Sequence, residues 1–412
     1  MIFNRIRHKA TKSLVLAGIM NGRKAYVGPE VVYIDLTNNC NNNCIGCWCR
    51  SPLLREKVMP DWEKSQTLST GVIIKALGEI IAMRNLKQVK LAGGGEPFMH
   101  PDMLKIIEYI KSKDSTIEID INTNFTLVDE KIIEKIVDLK VDSMTVSLWA
   151  GDAETYVKTH PNKTMNDFAG IEAMLKLIEE RKGGGKPQIK LYNVISKVNH
   201  GFIREMLDFA LVVKAEAIQF VPLDPIPGYT DTLLLNESET MALLRSCCEI
   251  KKGYNGLDSI FTDGKTGRSI AIIEFDNFIR QMNNQMVQRG IYDYSVVNTI
   301  PCYVGWLFVR ITANGNVVPC NKAHRLAMGN LYDQSFKKIW QSRRYKEFRY
   351  YSKSAGKGHP YFALMGNDAS KETGCYNCDN LWQNEPMHKL VSSFSSNRRR
   401  LWDMFKIDKV IR

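Results

Sequence analysis

Three cysteines near the start of the chain constrain its fold and chemistry more than any other feature. Cys40, Cys44 and Cys47 have the spacing C-x3-C-x2-C in the segment TNNCNNNCIGC, directly after a short β-branched run. Three thiolates on one loop are typical of a 4Fe-4S cluster that keeps one iron without a protein ligand, where another molecule can bind and be reduced. Zinc is the alternative, because cysteine clusters on loops are often zinc sites and Cys49 could be the fourth ligand.

A glycine-rich segment, VKLAGGGEPFMH, follows a second strand-like run further along the chain. Consecutive glycines let the backbone approach a ligand without interference from Cβ atoms. Alone, they would predict only a turn between a strand and a helix. Together with the cysteine spacing, the segment resembles the GGEP motif of the radical S-adenosylmethionine (radical SAM) superfamily. The resemblance implies that the amino group of SAM is held by Gly94, Gly95, Glu96 and Pro97.

The resemblance also implies polar contacts with SAM at the ends of the later strands, because barrel sites gather at the C-terminal ends of strands. The predicted strands are Ile117 to Asn122, Val141 to Ser147, Leu191 to Ser196, and Ala217 to Pro222, the last of which offers a backbone edge to adenine. Each polar residue there is equally consistent with an ordinary strand end. The candidate contacts are Asn122, Asn124, Ser147, Asn193 and Ser196.

The residue before the third cysteine departs from the family pattern. Many members have an aromatic residue there that packs on adenine, whereas this chain has Gly46, with Trp48 one residue after Cys47. The cluster ligands themselves are intact. We therefore expect the adenine to be contacted in a different way.

The order of the predicted elements indicates an α/β fold. β-branched runs alternate with amphipathic helical stretches from Val31 to about Pro222, which predicts parallel strands. Right-handed crossovers then give a partial (β/α)6 barrel with its site at the strands' C-terminal ends. The predicted divisions are a basic N-terminal helix (1–30), the barrel (31–225), a bridging region (226–298), a small α+β auxiliary-cluster domain (299–380) and a basic tail (381–412).

The bridging region has a less regular pattern. It predicts a helix from about Glu237 to Lys251 and a strand from Ser269 to Phe275. The vicinal pair Cys247 and Cys248 falls within that helix, where two buried small hydrophobic residues are the favoured interpretation over metal ligands.

A second set of cysteines lies near the other end of the chain. Two strand-like runs flank Asn314 and Gly315, so a β-hairpin would bring Cys320 back towards Cys302. The motif GCYNC then adds Cys375 and Cys378. Without the barrel, this pattern would favour a zinc ribbon.

Behind a radical SAM barrel, the same set resembles a SPASM domain. A full SPASM domain holds two auxiliary clusters, but the second set has only four cysteines. The set therefore resembles a twitch domain, which implies one fully ligated auxiliary 4Fe-4S cluster held by Cys302, Cys320, Cys375 and Cys378. The whole resemblance covers about residues 31 to 380.

The resemblance implies a radical mechanism. A one-electron donor such as flavodoxin or ferredoxin would reduce the first cluster, which would cleave SAM to methionine and a 5′-deoxyadenosyl radical. That radical would take a hydrogen atom from the substrate, and the auxiliary cluster could accept the remaining electron while a base removes a proton. No motif identifies the base; His324, Arg325 and Lys197 are candidates.

Composition agrees with a catalytic core plus a small accessory domain, since the 412 residues are 44% hydrophobic. The cysteine spacing and the lack of a convincing signal sequence predict a cytoplasmic protein. The longest early apolar run, Leu14 to Met20, is too short to span a bilayer. The net charge of +12 permits an anionic substrate or a membrane-surface contact, and an RNA partner is less favoured.

Three functions are consistent with these patterns. The favoured one is a radical SAM oxidoreductase acting on a sugar, cyclitol, nucleotide or related small metabolite. The second is a maturase of ribosomally made peptides, since many SPASM-like enzymes modify peptides. The third is a non-catalytic zinc or iron-sulfur module that binds nucleic acid.

Overall fold

The computed structural model describes residues 2–54, 59–254, 260–264, 266–354, 356–366 and 375–395. The basic segment from Asn397 to Arg400, predicted to lie in the tail, is outside these ranges. Among the described residues, no helix combines the length and the apolar character needed to cross a membrane.

The described strands form one sheet with the order β11-β10-β9-β1-β2-β3-β4-β5-β6-β8-β7. Neighbours from β9 through β1 to β6 and β8 run parallel, while β7, β10 and β11 are antiparallel to their neighbours. The strands are β1 (Val31–Asp35), β2 (Gln88–Ala92), β3 (Glu118–Thr123), β4 (Ser143–Ser147), β5 (Gln188–Ile195), β6 (Ala217–Pro222), β7 (Ile260–Thr262), β8 (Ser269–Ile273), β9 (Phe308–Ile311), β10 (Asn316–Val318) and β11 (Gly329–Asn330).

The helices connect the parallel strands and extend beyond them at both ends. They are α1 (Ile2–Asn21), α2 (Asp61–Lys64), α3 (Thr70–Ala82), α4 (Met103–Lys113), α5 (Glu130–Asp138), α6 (Ala153–Thr159), α7 (Met165–Lys182), α8 (Ile203–Val212), α9 (Glu237–Lys252), α10 (Phe275–Met282), α11 (Tyr294–Val297), α12 (Val304–Leu307), α13 (Phe336–Trp340), α14 (Arg343–Ser354) and α15 (Leu381–Ser395). Short 3-10 helices cover Pro97–Met99, His200–Phe202, Asp231–Leu233, Val287–Arg289 and Pro360–Phe362.

The core lies between the sheet and these helices. Ile106 and Ile110 of α4 and Ile133 of α5 are fully buried, as are Ile119 and Ile121 of β3. Burying one such side chain contributes about 1.5–3 kcal/mol, so the apolar spacing of the helices fixes which face packs on the sheet. The partial (β/α)6 barrel predicted from the sequence is confirmed.

Several local predictions are also confirmed. Asn236 and Glu239 form a capping box that starts α9, and this helix ends one residue later than expected. The prediction that both vicinal cysteines are buried is confirmed for Cys247 and wrong for Cys248, which is exposed. Successive residues of an α-helix point about 100° apart, so the two neighbours face different sides of α9. Gly315, at φ +82°, makes the hairpin turn between β9 and β10.

The sheet extends further than the sequence indicated. β8 adds to the barrel beside β6, and β9 of the C-terminal hairpin pairs in parallel with β1. The sequence pattern could not show this, because pairing between strands so distant in the chain depends on tertiary contacts. The predicted division into domains stays a prediction.

The inner face of the barrel is polar. Residues paired across neighbouring strands share a face, and the pairing gives three rows: Tyr33, Lys90, Asp120 and Ser143; Asn122, Thr145, Lys190 and Ala217; Ser147, Tyr192 and Gln219. We call the space that these rows surround the barrel lumen. Burial raises the pKa of Tyr192, and the charges of Asp379, beside Cys378, and of Tyr33 on β1 raise it further.

Candidate cluster and cofactor sites

The loop that carries the first three cysteines is held on both sides. The backbone N–H of Ile45 donates to the carbonyl of Thr159 at the end of α6, at 3.0 Å. On the other side, Arg50 donates to the carbonyl of Asn38 at 2.7 Å. Within the loop, the N–H of Cys47 donates to the carbonyl of Cys44 at 3.0 Å. These bonds fix the loop at the C-terminal end of β1.

The three thiols lie close enough to influence one another electrostatically. Burial raises the pKa of Cys44, and the charges of Cys47 and Cys40 raise it further. The pKa of Cys47 is lowered to about 7, chiefly by its hydrogen bond with the Cys49 thiol, whose sulfur lies 3.6 Å away. A thiolate is the form that binds metal, so this loop fits a group that supplies compensating positive charge.

The glycine segment packs directly against the cysteine loop. A Cβ atom on Gly95 would lie 2.0 Å from the carbonyl oxygen of Asn39, so only glycine fits there. The N–H of Glu96 donates to the same carbonyl at 2.7 Å. The Cys49 thiol donates to the carbonyl of Gly94 at 3.0 Å, which adds a tether that the sequence did not reveal.

The Glu96 carboxylate is occupied by protein donors. It accepts from the hydroxyl of Thr123 and from the N–H of Asn124, both at 2.7 Å, and from the N–H of Phe98 at 3.3 Å. Burial raises its pKa to about 7, against the opposing effect of these donors. The side chain of Glu96 therefore joins the ends of β2 and β3, while Pro97 begins the 3-10 helix that follows.

The other predicted SAM contacts lie around the same end of the barrel but in different environments. Asn193 is 1% exposed, and neither polar atom of its amide has a hydrogen-bond partner among the described residues. The Oδ1 atom of Asn122 is also buried without a hydrogen-bond partner among the described residues. Ser147 is half-buried, whereas the Ser196 hydroxyl lies 3.3 Å from Oδ1 of Asn199. Unpartnered buried amides fit a polar ligand.

Asn124 supports the cysteine loop. Its amide donates to Oδ1 of Asn41 at 2.8 Å and lies 3.9 Å from the Cys40 sulfur. Its Oδ1 accepts from Thr126. Contact between Asn124 and SAM stays a prediction, as do the contacts predicted for the other residues.

An aromatic residue lies beside Gly46 although none precedes the third cysteine. A Cβ on Gly46 would meet Leu223 at 2.4 Å and the Trp149 ring at 3.5 Å. Trp149 has φ +58°, and its indole N–H is buried without a partner among the described residues. Trp149 lies two positions beyond the end of β4, where no sequence pattern marked it as a functional residue.

The second cysteine set converges in space. Burial raises the pKa of Cys378, and the charges of Cys375, Cys302 and Cys320 raise it further. The N–H of Cys302 donates to the carbonyl of Ser352 at 2.9 Å, so α14 helps to place it. Cys320, which follows the hairpin as predicted, is 6% exposed.

The residues around the second set bind it to the barrel. Lys322 forms ion pairs with Asp224, just past β6, and with Asp379 at 3.3 Å. The Trp48 ring of the first cysteine loop lies 5.5 Å from the ring of His324. The two cysteine sets are therefore at the same end of the barrel and joined by direct contacts.

Neither set has the geometry of a site for a single ion. Within the described ranges, no three His, Cys, Asp or Glu side chains lie close enough to hold one metal ion. A 4Fe-4S cluster does not require such a group, because each iron takes a single thiolate.

The candidate bases occupy different environments. Burial and the charge of Arg310 together lower the pKa of His324 to about 4, so the ring is neutral at pH 7. Arg325 donates to the carbonyls of Met365 and Gly366. Lys197 is largely exposed and lies 3.8 Å from Glu239.

The polar lining of the lumen is the main feature that sequence reasoning missed. Its signal was present in QIKLYNVI, where Lys190 and Tyr192 alternate with apolar residues. A strand buried on both faces would read as a continuous apolar run, so this alternation indicates a polar inner face.

Two family models match the chain. The radical SAM superfamily model covers residues 34–210, and an iron-sulfur cluster-binding domain model, SPASM, covers residues 302–379. Together they include both cysteine sets.

Two relatives match along most of their length. The tungsten-containing aldehyde ferredoxin oxidoreductase cofactor-modifying protein of Pyrococcus furiosus is 25% identical over 87% of this chain and 93% of its own. The AdoMet-dependent heme synthase of Methanosarcina barkeri is 25% identical over 76% of this chain and 82% of its own.

Solved structures share the fold. Streptococcus suis SuiB bound to its precursor peptide SuiA has a TM-score of 0.58 at 15% identity, covering 90% of this chain and 76% of that one. The structure of anSMEcpe with bound AdoMet has a TM-score of 0.57 at 15% identity, and the match covers 92% of this chain and 100% of that one. The two family models indicate that the cofactors are 4Fe-4S clusters and SAM. The chain belongs to the radical SAM superfamily and carries a C-terminal SPASM domain.

Proposed function

We propose that this protein is an oxidoreductase that uses SAM to generate a radical and oxidises a small polar metabolite, such as a sugar, cyclitol or nucleotide. The barrel lumen is the observation that carries this proposal. Tyr33, Lys90, Lys190 and Tyr192 line it and are only partly buried. Interiors of closed (β/α) barrels are packed with branched aliphatic side chains, so a polar lining favours a polar occupant.

The three-cysteine loop and the glycine segment support SAM binding beside that lumen. When bound there, a 4Fe-4S cluster with one open iron supplies the electron that converts SAM to methionine and a 5′-deoxyadenosyl radical. The close packing of Gly95 on Asn39 keeps backbone groups available to the ligand. The unpartnered amide of Asn193 offers a further polar contact.

The four-cysteine set supports the oxidation. A site with four cysteine ligands has no open position, so it is suited to accepting an electron rather than to binding substrate. Its position near the end of β6 supports this role, because Lys322, two residues after Cys320, forms ion pairs with Asp224 and Asp379. We assign it one auxiliary cluster, held by Cys302, Cys320, Cys375 and Cys378.

The names of relatives favour a substrate that is not a peptide. The first two relatives are named for a cofactor and for heme, and a third, from Sulfurisphaera tokodaii, is a probable GTP 3′,8-cyclase that is 25% identical over 71% of this chain. A peptide is the second candidate, because SuiB, whose fold this chain shares, was solved with its precursor peptide.

Deuterium transfer distinguishes these candidates. The reconstituted enzyme is incubated anaerobically with SAM, dithionite and extract from cells grown in D2O, separated into low-molecular-mass and peptide fractions. We expect deuterium in 5′-deoxyadenosine only with the low-molecular-mass fraction. Deuterium from the peptide fraction alone would favour the second candidate, and no 5′-deoxyadenosine with either fraction would overturn both.

A further inference from the structure

Lys190 is a positively charged side chain in the lumen without a carboxylate of its own. It is half-buried on β5, and among the described residues no carboxylate forms an ion pair with it. Its ammonium lies 5.9 Å from the centre of the Tyr192 ring. A charge held away from bulk water without a counter-ion is costly, so the site favours an anion.

The two carboxylates whose charges act on Lys190, Asp120 and Glu274, have other partners. Asp120 forms an ion pair with Lys90 at 2.7 Å and accepts from the Thr145 hydroxyl at 3.2 Å. Glu274 accepts from Gln219 at 3.0 Å. Burial and the charge of Lys90 together lower the pKa of Lys190 to about 8, in spite of these two carboxylates.

The position of Lys190 along β5 suits a substrate subsite. Val194, on the same face, packs against a small cluster formed by Leu223, Leu233 and Ile45, the last of which belongs to the first cysteine loop. Lys190 precedes Val194 by four residues, so the strand carries it about 13 Å deeper into the lumen. A separation of about 13 Å is comparable to the length of a small metabolite that reaches from the SAM end to the ammonium.

We propose that Lys190 and Tyr192 bind an anionic group of the substrate, a carboxylate or a phosphate, in the barrel lumen. This inference rests on the proposed function, because it assigns a subsite for the metabolite. Lys190 supplies the charge. Burial raises the pKa of Tyr192, so its hydroxyl stays protonated at pH 7 and donates a hydrogen bond.

The test is equilibrium dialysis of the reconstituted holoenzyme with SAM against radiolabelled inorganic phosphate and, separately, malonate. The wild type is compared with Lys190→Met, which removes the charge, and Lys190→Arg, which keeps it. Lys135→Met, at an exposed position of α5, is the matched control. Circular dichroism confirms that each variant is folded.

We expect saturable binding of one anion per chain, weakened at least about tenfold in Lys190→Met and retained in Lys190→Arg and Lys135→Met. Binding of phosphate alone or of malonate alone identifies which chemistry the subsite prefers. No saturable binding of either anion, or binding that Lys190→Met leaves unchanged, would overturn the inference. Assay of 5′-deoxyadenosine on the wild type separates the two proposals, since SAM cleavage without anion binding refutes only the subsite.

Discussion

The Arg310 guanidinium on β9 donates three hydrogen bonds to the Asp35 carboxylate at the end of β1. Its Nε lies 3.0 Å from both carboxylate oxygens, and one terminal nitrogen lies 2.7 Å from Oδ2. The side chains are 11% and 2% exposed. Arg310 also donates to the carbonyl of Asn321, next to Cys320. One buried ion pair therefore joins the hairpin of the second cysteine set to the strand that leads into the first.

Arg310→Met should destabilise the holoenzyme by about 3–5 kcal/mol, because it leaves the Asp35 carboxylate buried without its partner. Anaerobic urea denaturation measures the change. Arg343→Met is the control. The Arg343 side chain is 92% exposed where it pairs with Glu347, so its loss should lower the free energy of unfolding by less than about 1 kcal/mol. Equal losses in the two variants would show that the Asp35 pair has no special structural role.

Gly95→Ala should abolish SAM binding. The added Cβ would lie 2.0 Å from a backbone oxygen of the cysteine loop, so the two segments would have to separate. Gly170→Ala is the control: nothing lies within 4 Å of that Cβ, and alanine stabilises a helix interior by about 1 kcal/mol relative to glycine. Equilibrium dialysis with SAM measures both. Wild-type affinity in Gly95→Ala would contradict the close packing of Gly95 on Asn39.

The stability of the wild type relative to Lys190→Met should depend on pH. The pKa of Lys190 is lowered to about 8 in the folded protein, from about 10.4 in an unfolded chain. Between these values the unfolded chain binds more protons, so the free energy of unfolding rises with pH. Lys190→Met should therefore be more stable than the wild type below pH 8, and the difference should shrink as the pH approaches 10.5.

Thermal unfolding of both proteins across that pH range measures the difference. Lys135→Met, exposed on α5, controls for loss of one surface charge. A difference that stays constant with pH would show that Lys190 is not held in an unfavourable environment.

The two cysteine sets should differ in what their loss does. Replacing Cys40, Cys44 or Cys47 by Ala should abolish formation of 5′-deoxyadenosine, because each would supply one of only three ligands. Replacing Cys375 or Cys378 should leave some cleavage of SAM without product formation, since these residues serve the second site. Chromatographic assay of 5′-deoxyadenosine and of substrate consumption checks both. Continued SAM cleavage by Cys47→Ala would refute the assigned mechanism.

Local sequence patterns predicted the alternating strands and helices, the first cysteine loop and the hairpin before Cys320, because each depends on short-range spacing. The C-x3-C-x2-C loop and the Asn314-Gly315 turn are examples. The grouping of Cys302 and Cys320 with Cys375 and Cys378 was implied by the family resemblance. The pairing of β9 with β1 and the Arg310–Asp35 bond depend on residues far apart in the chain, and no local pattern reports them. Trp149 was missed for the same reason, since its neighbour Gly46 lies on a different loop.

The central claim is that one cysteine set holds a SAM-cleaving cluster and the other holds an auxiliary cluster. The most direct test is the iron and sulfide content after anaerobic reconstitution, for the wild type and for a variant with Cys40, Cys44 and Cys47 all replaced by Ala. The same samples are assayed for 5′-deoxyadenosine with SAM and dithionite. We expect about eight irons per chain falling to about four, with cleavage lost. Four irons unaffected by the triple replacement, or zinc in place of iron with no cleavage, would contradict the account.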